Sequence, residues 1–120
     1  MGIKITDAVR DMEAHAFHVS QVAKRIATAF PHLPELIGVR PRPSAAHAEL
    51  DLQTNTIDEA RQWAQALGSE LIVREGHGTS GWHGDADIEI DGVKVHVCAF
   101  HAFTAEERAA RESTPAAVTA

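Results

Sequence analysis

The sequence predicts a small α+β domain: a two-layer sandwich in which a four-stranded antiparallel or mixed sheet carries two main helices on one face, in the order α-β-α-β-β-β-α. Three observations carry this expectation. Residues 84–100 (GDADIEIDGVKVHVCAF) alternate apolar and polar on both sides of Asp91-Gly92, the usual signal for a two-residue type I′ hairpin turn. Residues 8–30 hold an apolar stripe at alternating spacings of three and four, the periodicity of an amphipathic helix. Between them, a strictly alternating segment, residues 47–54, runs into a helix-start signature.

In chain order, the first helix is expected over residues 8–30, with Val9, Met12, Ala16, Val19, Ala23, Ile26 and Phe30 forming its seam. Thr6 or Asp7 would cap it, and Pro31 closes it, since proline cannot continue a helix. The seam suits packing over a sheet or against a second copy, and small Ala16 and Ala23 permit close approach. Residues 31–46 read as a proline-punctuated connector, with Pro34, Pro41 and Pro43 interrupting regular pairing and Arg40 and Arg42 making it locally basic. Residues 48–54 form a strand with Ala48, Leu50, Leu52 and Thr54 on one face and Glu49, Asp51 and Gln53 on the other. Thr56 and Glu59 fit a capping box opening a second helix, whose buried side is Ile57, Ala60, Trp63, Ala64 and Leu67. Gly68 ends it. A short strand follows over residues 70–74, then a glycine-rich connection over 75–83.

The hairpin turn sets a register: Ile90 opposite Val93, Ile88 opposite Val95 and Ala86 opposite Val97 on the core face. The other face then pairs Glu89 with Lys94 and Asp87 with His96, and puts Asp85 near Cys98. Thr104 and Glu107 form a second capping box for a short helix. Domain organisation is accordingly one α+β domain over residues 1–103, a short helix over 104–112, and a disordered tail over 113–120 with too little apolar content to pack.

Composition narrows the function classes. A 120-residue chain with net charge −6 and 44% hydrophobic residues can bury a modest core and has no general affinity for nucleic acid. One cysteine, Cys98, excludes an intrachain disulfide and a paired-cysteine zinc site. The opening MGIKITDAV has no signal-peptide core, and no run reaches the roughly 18 apolar residues of a membrane span. A soluble cytoplasmic protein without membrane contacts is expected.

The polar hairpin face holds the densest set of chemistry-bearing residues. His96 and Cys98, two apart on one strand, share a face at ~6.6 Å. Asp87 and Asp85 lie across the pair at roughly 5 Å. Imidazole, thiolate and carboxylate together suit zinc, so His96, Cys98, Asp85 and Asp87 are the metal candidates, although a flat sheet face does not enclose an ion. Cys98 as nucleophile, with His96 and Asp87 as catalytic partners, is the corresponding enzyme reading; it needs a lowered thiol pKa. The same residues make ordinary cross-strand pairs. Gly76 to Gly84 lacks the Lys-Ser/Thr ending and following helix of a phosphate loop, but Trp82 and His83 within it could contact a partner. His15 and His18, with Asp11 nearby, lack a metalloprotease pattern. Arg40 and Arg42, joined by Lys24 and Arg25, could form a local basic patch.

The preferred expectation is a non-enzymatic interaction module, homodimeric, acting through protein–protein contacts and needing no cofactor, with Trp82, His83, Arg40 and Arg42 as partner-facing residues. The alternatives are a zinc- or cysteine-dependent enzyme on the outer hairpin face and a nucleic-acid accessory protein using the arginine patch.

Overall fold

The computed structural model describes residues 2–76 and 80–113. Three helices, α1 (Ile5–Ala29), α2 (Ile57–Ala66) and α3 (Ala105–Ser113), accompany five strands: β1 (Gly38–Pro43), β2 (Ala48–Gln53), β3 (Ile72–Glu75), β4 (Gly81–Ile90) and β5 (Val93–Ala102). The strands form one mixed sheet in the order β1-β2-β5-β4-β3. Among the described residues only the β2–β5 pair is parallel. Of the glycine-rich connection, residues 77–79 lie outside the described residues, as does the expected tail from residue 114 on.

The fifth strand corrects the expected four-stranded sheet. The connector at 31–46 contains β1, which alternates Val39, Pro41 and Pro43 with Arg40 and Arg42 and pairs antiparallel with β2. Prolines are compatible with this strand because it is the sheet's edge, where half of the backbone N–H groups need no ladder partner. The expected β2 strand is therefore internal, between β1 and β5, where its alternating apolar side chains are covered.

The hairpin register is as the turn dictates: Ile90 pairs with Val93, Ile88 with Val95, Ala86 with Val97, Glu89 with Lys94, Asp87 with His96, and Asp85 with Cys98. Both turn residues take left-handed conformations, Asp91 at φ 52° and Gly92 at φ 81°, the requirement of a type I′ turn.

One strand parity forms the core. Leu50, Leu52, Val93, Val95, Val97, Ala86 and Ala99 point toward Val19, Val22 and Ile26 of α1 and Ala60, Trp63, Ala64 and Leu67 of α2. Both helices therefore lie on the same face, α1 over β1 and β2 and α2 over β5 and β4. Full burial of a side chain such as Leu50 contributes about 2–3 kcal/mol. The Thr56–Glu59 capping box is formed, each side chain meeting the other's backbone N–H at 3.1 Å. Past the end of α2, Gly68 at φ 87° permits its own N–H to reach Gln65 O and that of Ser69 to reach Ala64 O, the paired bonds of a Schellman ending. Trp63 Nε1 donates to Pro34 O at 2.8 Å, pinning the path into β1.

Two expectations about α1 need correction. Its N-cap is Lys4, without a side-chain capping bond, because the helix starts at Ile5 and places Thr6 and Asp7 inside its first turn. Nor is its seam covered along its whole length. Val19 and Ile26 are buried, while Ile5, Val9 and Met12 are 82%, 41% and 41% exposed. His15 Nδ1 meets Ser44 O in the β1–β2 turn at 2.6 Å, and His18 meets the Asp91 carbonyl in the β4–β5 turn. The ten residues from Ile5 to Ala14 thus extend about 15 Å past the turns, at 1.5 Å per residue.

Candidate functional site: the uncovered face of the sheet

The parity that sends Leu50 and Val95 inward sends Glu49 and Lys94 outward, so the other face of the sheet is built mostly from polar side chains, with Ile72 and Phe100 exposed among them. Its rows run across the strands. The first is Arg42, Glu49, Lys94, Glu89, on β1, β2, β5 and β4. The second is Arg40, Asp51, His96, Asp87. The third is Gln53, Cys98, Asp85, Ile72, and the fourth is Phe100, His83, Arg74. Sign alternates along the first row; the second has Arg40 and Asp87 of opposite sign at its ends, with Asp51 and the His96 imidazole between them.

Short contacts order this lattice. Arg42 reaches Glu49 at 3.2 Å and Asp51 at 2.9 Å. Arg40 donates to Gln53 Oε1 at 3.2 Å. His96 sits between two carboxylates, with Nδ1 2.8 Å from Asp87 and Nε2 3.0 Å from Asp85. Each ring nitrogen thus has its own carboxylate, which fixes the plane of the imidazole. Exposed pairs of this kind contribute about 0.2–1 kcal/mol each. Their larger effect is to hold long side chains in fixed positions on an open face.

Cys98 lies beside Asp85 in this face. Burial pushes its thiol pKa up, and the carboxylates of Asp85 and Asp51 push in the same direction, offset in part by Arg40. A nucleophilic cysteine needs the opposite shift. His96, the expected base, spends both ring nitrogens on aspartates. Among the described residues, no group of three or more His, Cys, Asp or Glu side chains is arranged to hold a metal ion.

The fold brings Arg40, Arg42, Asp85, Asp87, His96, Cys98 and His83 onto one face, but it separates two expected groupings. Trp82 and His83 are sequence neighbours on a strand, so they point to opposite faces. His83 packs against Phe100 at 4.7 Å between ring centroids. Trp82 turns to the helix side, edge-on to Phe103 at 5.8 Å, with the Arg111 guanidinium 5.1 Å from its ring. There it joins Ile57, Val73 and His101 around an open groove of about 390 Å³. The basic patch is split as well: Arg40 and Arg42 lie on the outer face, whereas Lys24 and Arg25 are on the helix layer, Arg25 paired with Asp91.

The sequence places Glu49, Asp51 and Gln53 on the solvated side of their strand but does not join them to the polar face of the hairpin. The available signal was the alternation in both the β1 and β2 segments, which shares the period of the hairpin; the parallel β2–β5 pairing that merges them is a long-range contact. No protein-family model, curated protein or solved structure matches this chain.

Proposed function

We propose that this chain is a small non-enzymatic interaction module that works as a homodimer through protein–protein contacts, with the projecting half of α1 as its principal contact. The observation that carries this reading is the divided seam. Ile5, Val9, Met12 and Ala16 continue the spacing of Val19, Ala23, Ile26 and Phe30, yet the sheet covers only the second group. A helix that keeps an apolar stripe beyond its own core has a second surface to meet. Full burial of each large side chain contributes about 1.5–3 kcal/mol, and Ala16 lets a second helix approach closely.

Native mass spectrometry over a concentration series tests this, in about 0.5 M ammonium acetate, where contacts between exposed charges are screened and contacts between apolar side chains are not. A dimer is expected for the wild type and a monomer for Val9→Asp/Met12→Asp, with unchanged circular dichroism because both positions lie outside the core. A wild type that stays monomeric at high concentration, or a double variant that dimerises equally well, overturns it.

The enzyme reading draws support from one arrangement, Cys98 two residues from a histidine held by two aspartates. The same spectra recorded before and after chelator decide it: a stoichiometric mass loss that His96→Ala abolishes would bring zinc and the hairpin face forward. The nucleic-acid reading loses its joined patch, since Arg40 and Arg42 are engaged with Gln53, Glu49 and Asp51.

A further inference from the structure

We propose that the uncovered sheet face binds a second copy of itself, stacking face to face about a two-fold axis that runs along the strands between β2 and β5. This contact is separate from α1 and does not rest on its pairing.

The argument is one of symmetry and charge. Such an axis keeps each row at its own height and exchanges β2 with β5 and β1 with β4. An alternating row of four is converted by that reversal into its complement. In the first row Arg42 then lies over the partner's Glu89, and Glu49 over the partner's Lys94. In the second, Arg40 lies over the partner's Asp87, and Asp51 over the partner's His96. In the third, Gln53 meets the partner's Cys98 without opposed charge. A row of one sign, or one with a symmetric pattern, would set like over like. A single axis matches the four charges of the first row and sets Arg40 over Asp87 and Asp51 over an imidazole in the second, which is the feature that selects a second copy as the occupant.

The positions of these charges are set before contact. Arg42 is held by Glu49 and Asp51, Arg40 by Gln53, and His96 by Asp85 and Asp87, so less side-chain freedom is lost on docking. Area sets the strength. The four strands at ~4.8 Å and the three rows they share at ~6.8 Å give a patch of roughly 19 by 20 Å. That places the contact at the small end of specific interfaces, below about 1,200 Å² in total, where association is reversible and transient. The two faces would pack about 10 Å apart with the aligned twist of stacked sheets.

Salt separates this from non-specific association. A chain of net charge −6 repels its copies, so added salt ordinarily favours contact. The stacked face requires the reverse, because its opposed pairs are screened. Sedimentation equilibrium in about 0.05 M and about 0.5 M salt reads the sign. The expected result is a doubling of mass at low salt that weakens about tenfold or more at high salt, each tenfold being about 1.4 kcal/mol. It runs from monomer to dimer in the Val9→Asp/Met12→Asp background and from dimer to tetramer where α1 pairs. Failure of either contact is thereby visible without the other.

Arg42→Glu alone and Glu89→Arg alone should each remove the low-salt species. The combined Arg42→Glu/Glu89→Arg chain should recover it, since the groups that meet across the axis are again opposite. Within one copy the two residues are three strands, roughly 14 Å, apart, so the exchange cannot repair an intrachain pair. Arg40→Glu/Asp87→Arg repeats the exchange in the second row, and circular dichroism identifies any variant that fails to fold. Absence of low-salt doubling in the wild type, or exchanged chains that fold but stay as defective as the single variants, overturns the proposal.

Discussion

Replacing Trp63 by Phe tests whether the proline-rich segment is anchored to the body through one side chain. Trp63 is buried on α2, and its indole N–H donates to the Pro34 carbonyl at 2.8 Å, across 29 residues of chain. Phenylalanine keeps the apolar ring and loses the donor. The hydrogen bond contributes about 1 kcal/mol net, and the partly covered carbonyl left without its donor adds to the cost. The smaller ring leaves volume unfilled in a cluster with Ala60, Ala64 and Leu71, worth about 1 kcal/mol more. The expected loss is about 2 kcal/mol. With a urea dependence of about 1–3 kcal/mol per molar, the midpoint should fall by about 1 M. Far-UV circular dichroism is the suitable probe, since the chain has two tryptophans and the substitution removes one fluorophore. Amide exchange adds location: protection should drop in β1 ahead of β4 and β5, because Pro34 lies on the path into β1 alone. A midpoint shift below about 0.3 M, or an even loss of protection across the sheet, would show that the anchor is elsewhere.

The other predictions concern titration and the outer face. The Thr104 backbone N–H and then His101 hold the Glu107 carboxyl below the ordinary glutamate range, so its contribution is present above the ordinary value and is lost as pH falls through the lowered one. The stability gap between wild type and Glu107→Gln should close on acidification; a gap that widens toward acid refutes the assignment. Cys98 has the opposite sign, its pKa raised by burial and neighbouring carboxylates. Its alkylation should be slow at neutral pH and rise only in the alkaline range, and its contribution to stability should fall as pH climbs past the ordinary thiol value. Rapid alkylation at neutral pH would mean that the thiol is not screened as described.

Local signals were reliable where the chemistry is local. The Asp91-Gly92 turn dictates its own register because its backbone twist matches the strands it joins, and all the pairs expected from it are present. The Thr56–Glu59 and Thr104–Glu107 boxes form because their donors and acceptors are three residues apart. The periodicity over residues 8–30 identified a helix, but periodicity says which face is apolar, not how far a core extends beneath it. Val9 and Val19 sit in one seam, yet Val9 is 41% exposed and Val19 1%.

The candidate face was half legible for the same reason. Asp85, Asp87, His96 and Cys98 follow from a hairpin readable in 17 residues. Arg40 and Arg42 were visible as charges, though not as members of that face, because prolines hid the strand that carries them. Trp82 and His83 were grouped by adjacency, which a strand's two-residue period contradicts.

The sequence by itself determined the class of fold, the hairpin and its register, both capping boxes, and which side chains of each strand share a face, because these depend on interactions within a few residues. Tertiary structure decided that β1 exists as a strand, that β2 runs parallel to β5, and that α1 outruns its sheet. Those outcomes turn on pairings tens of residues apart, where the entropy of closing long loops competes with burial. No local pattern encodes that balance. The charged rows of the outer face exist only once it is struck, since each takes its charges from four strands that the chain visits at different times.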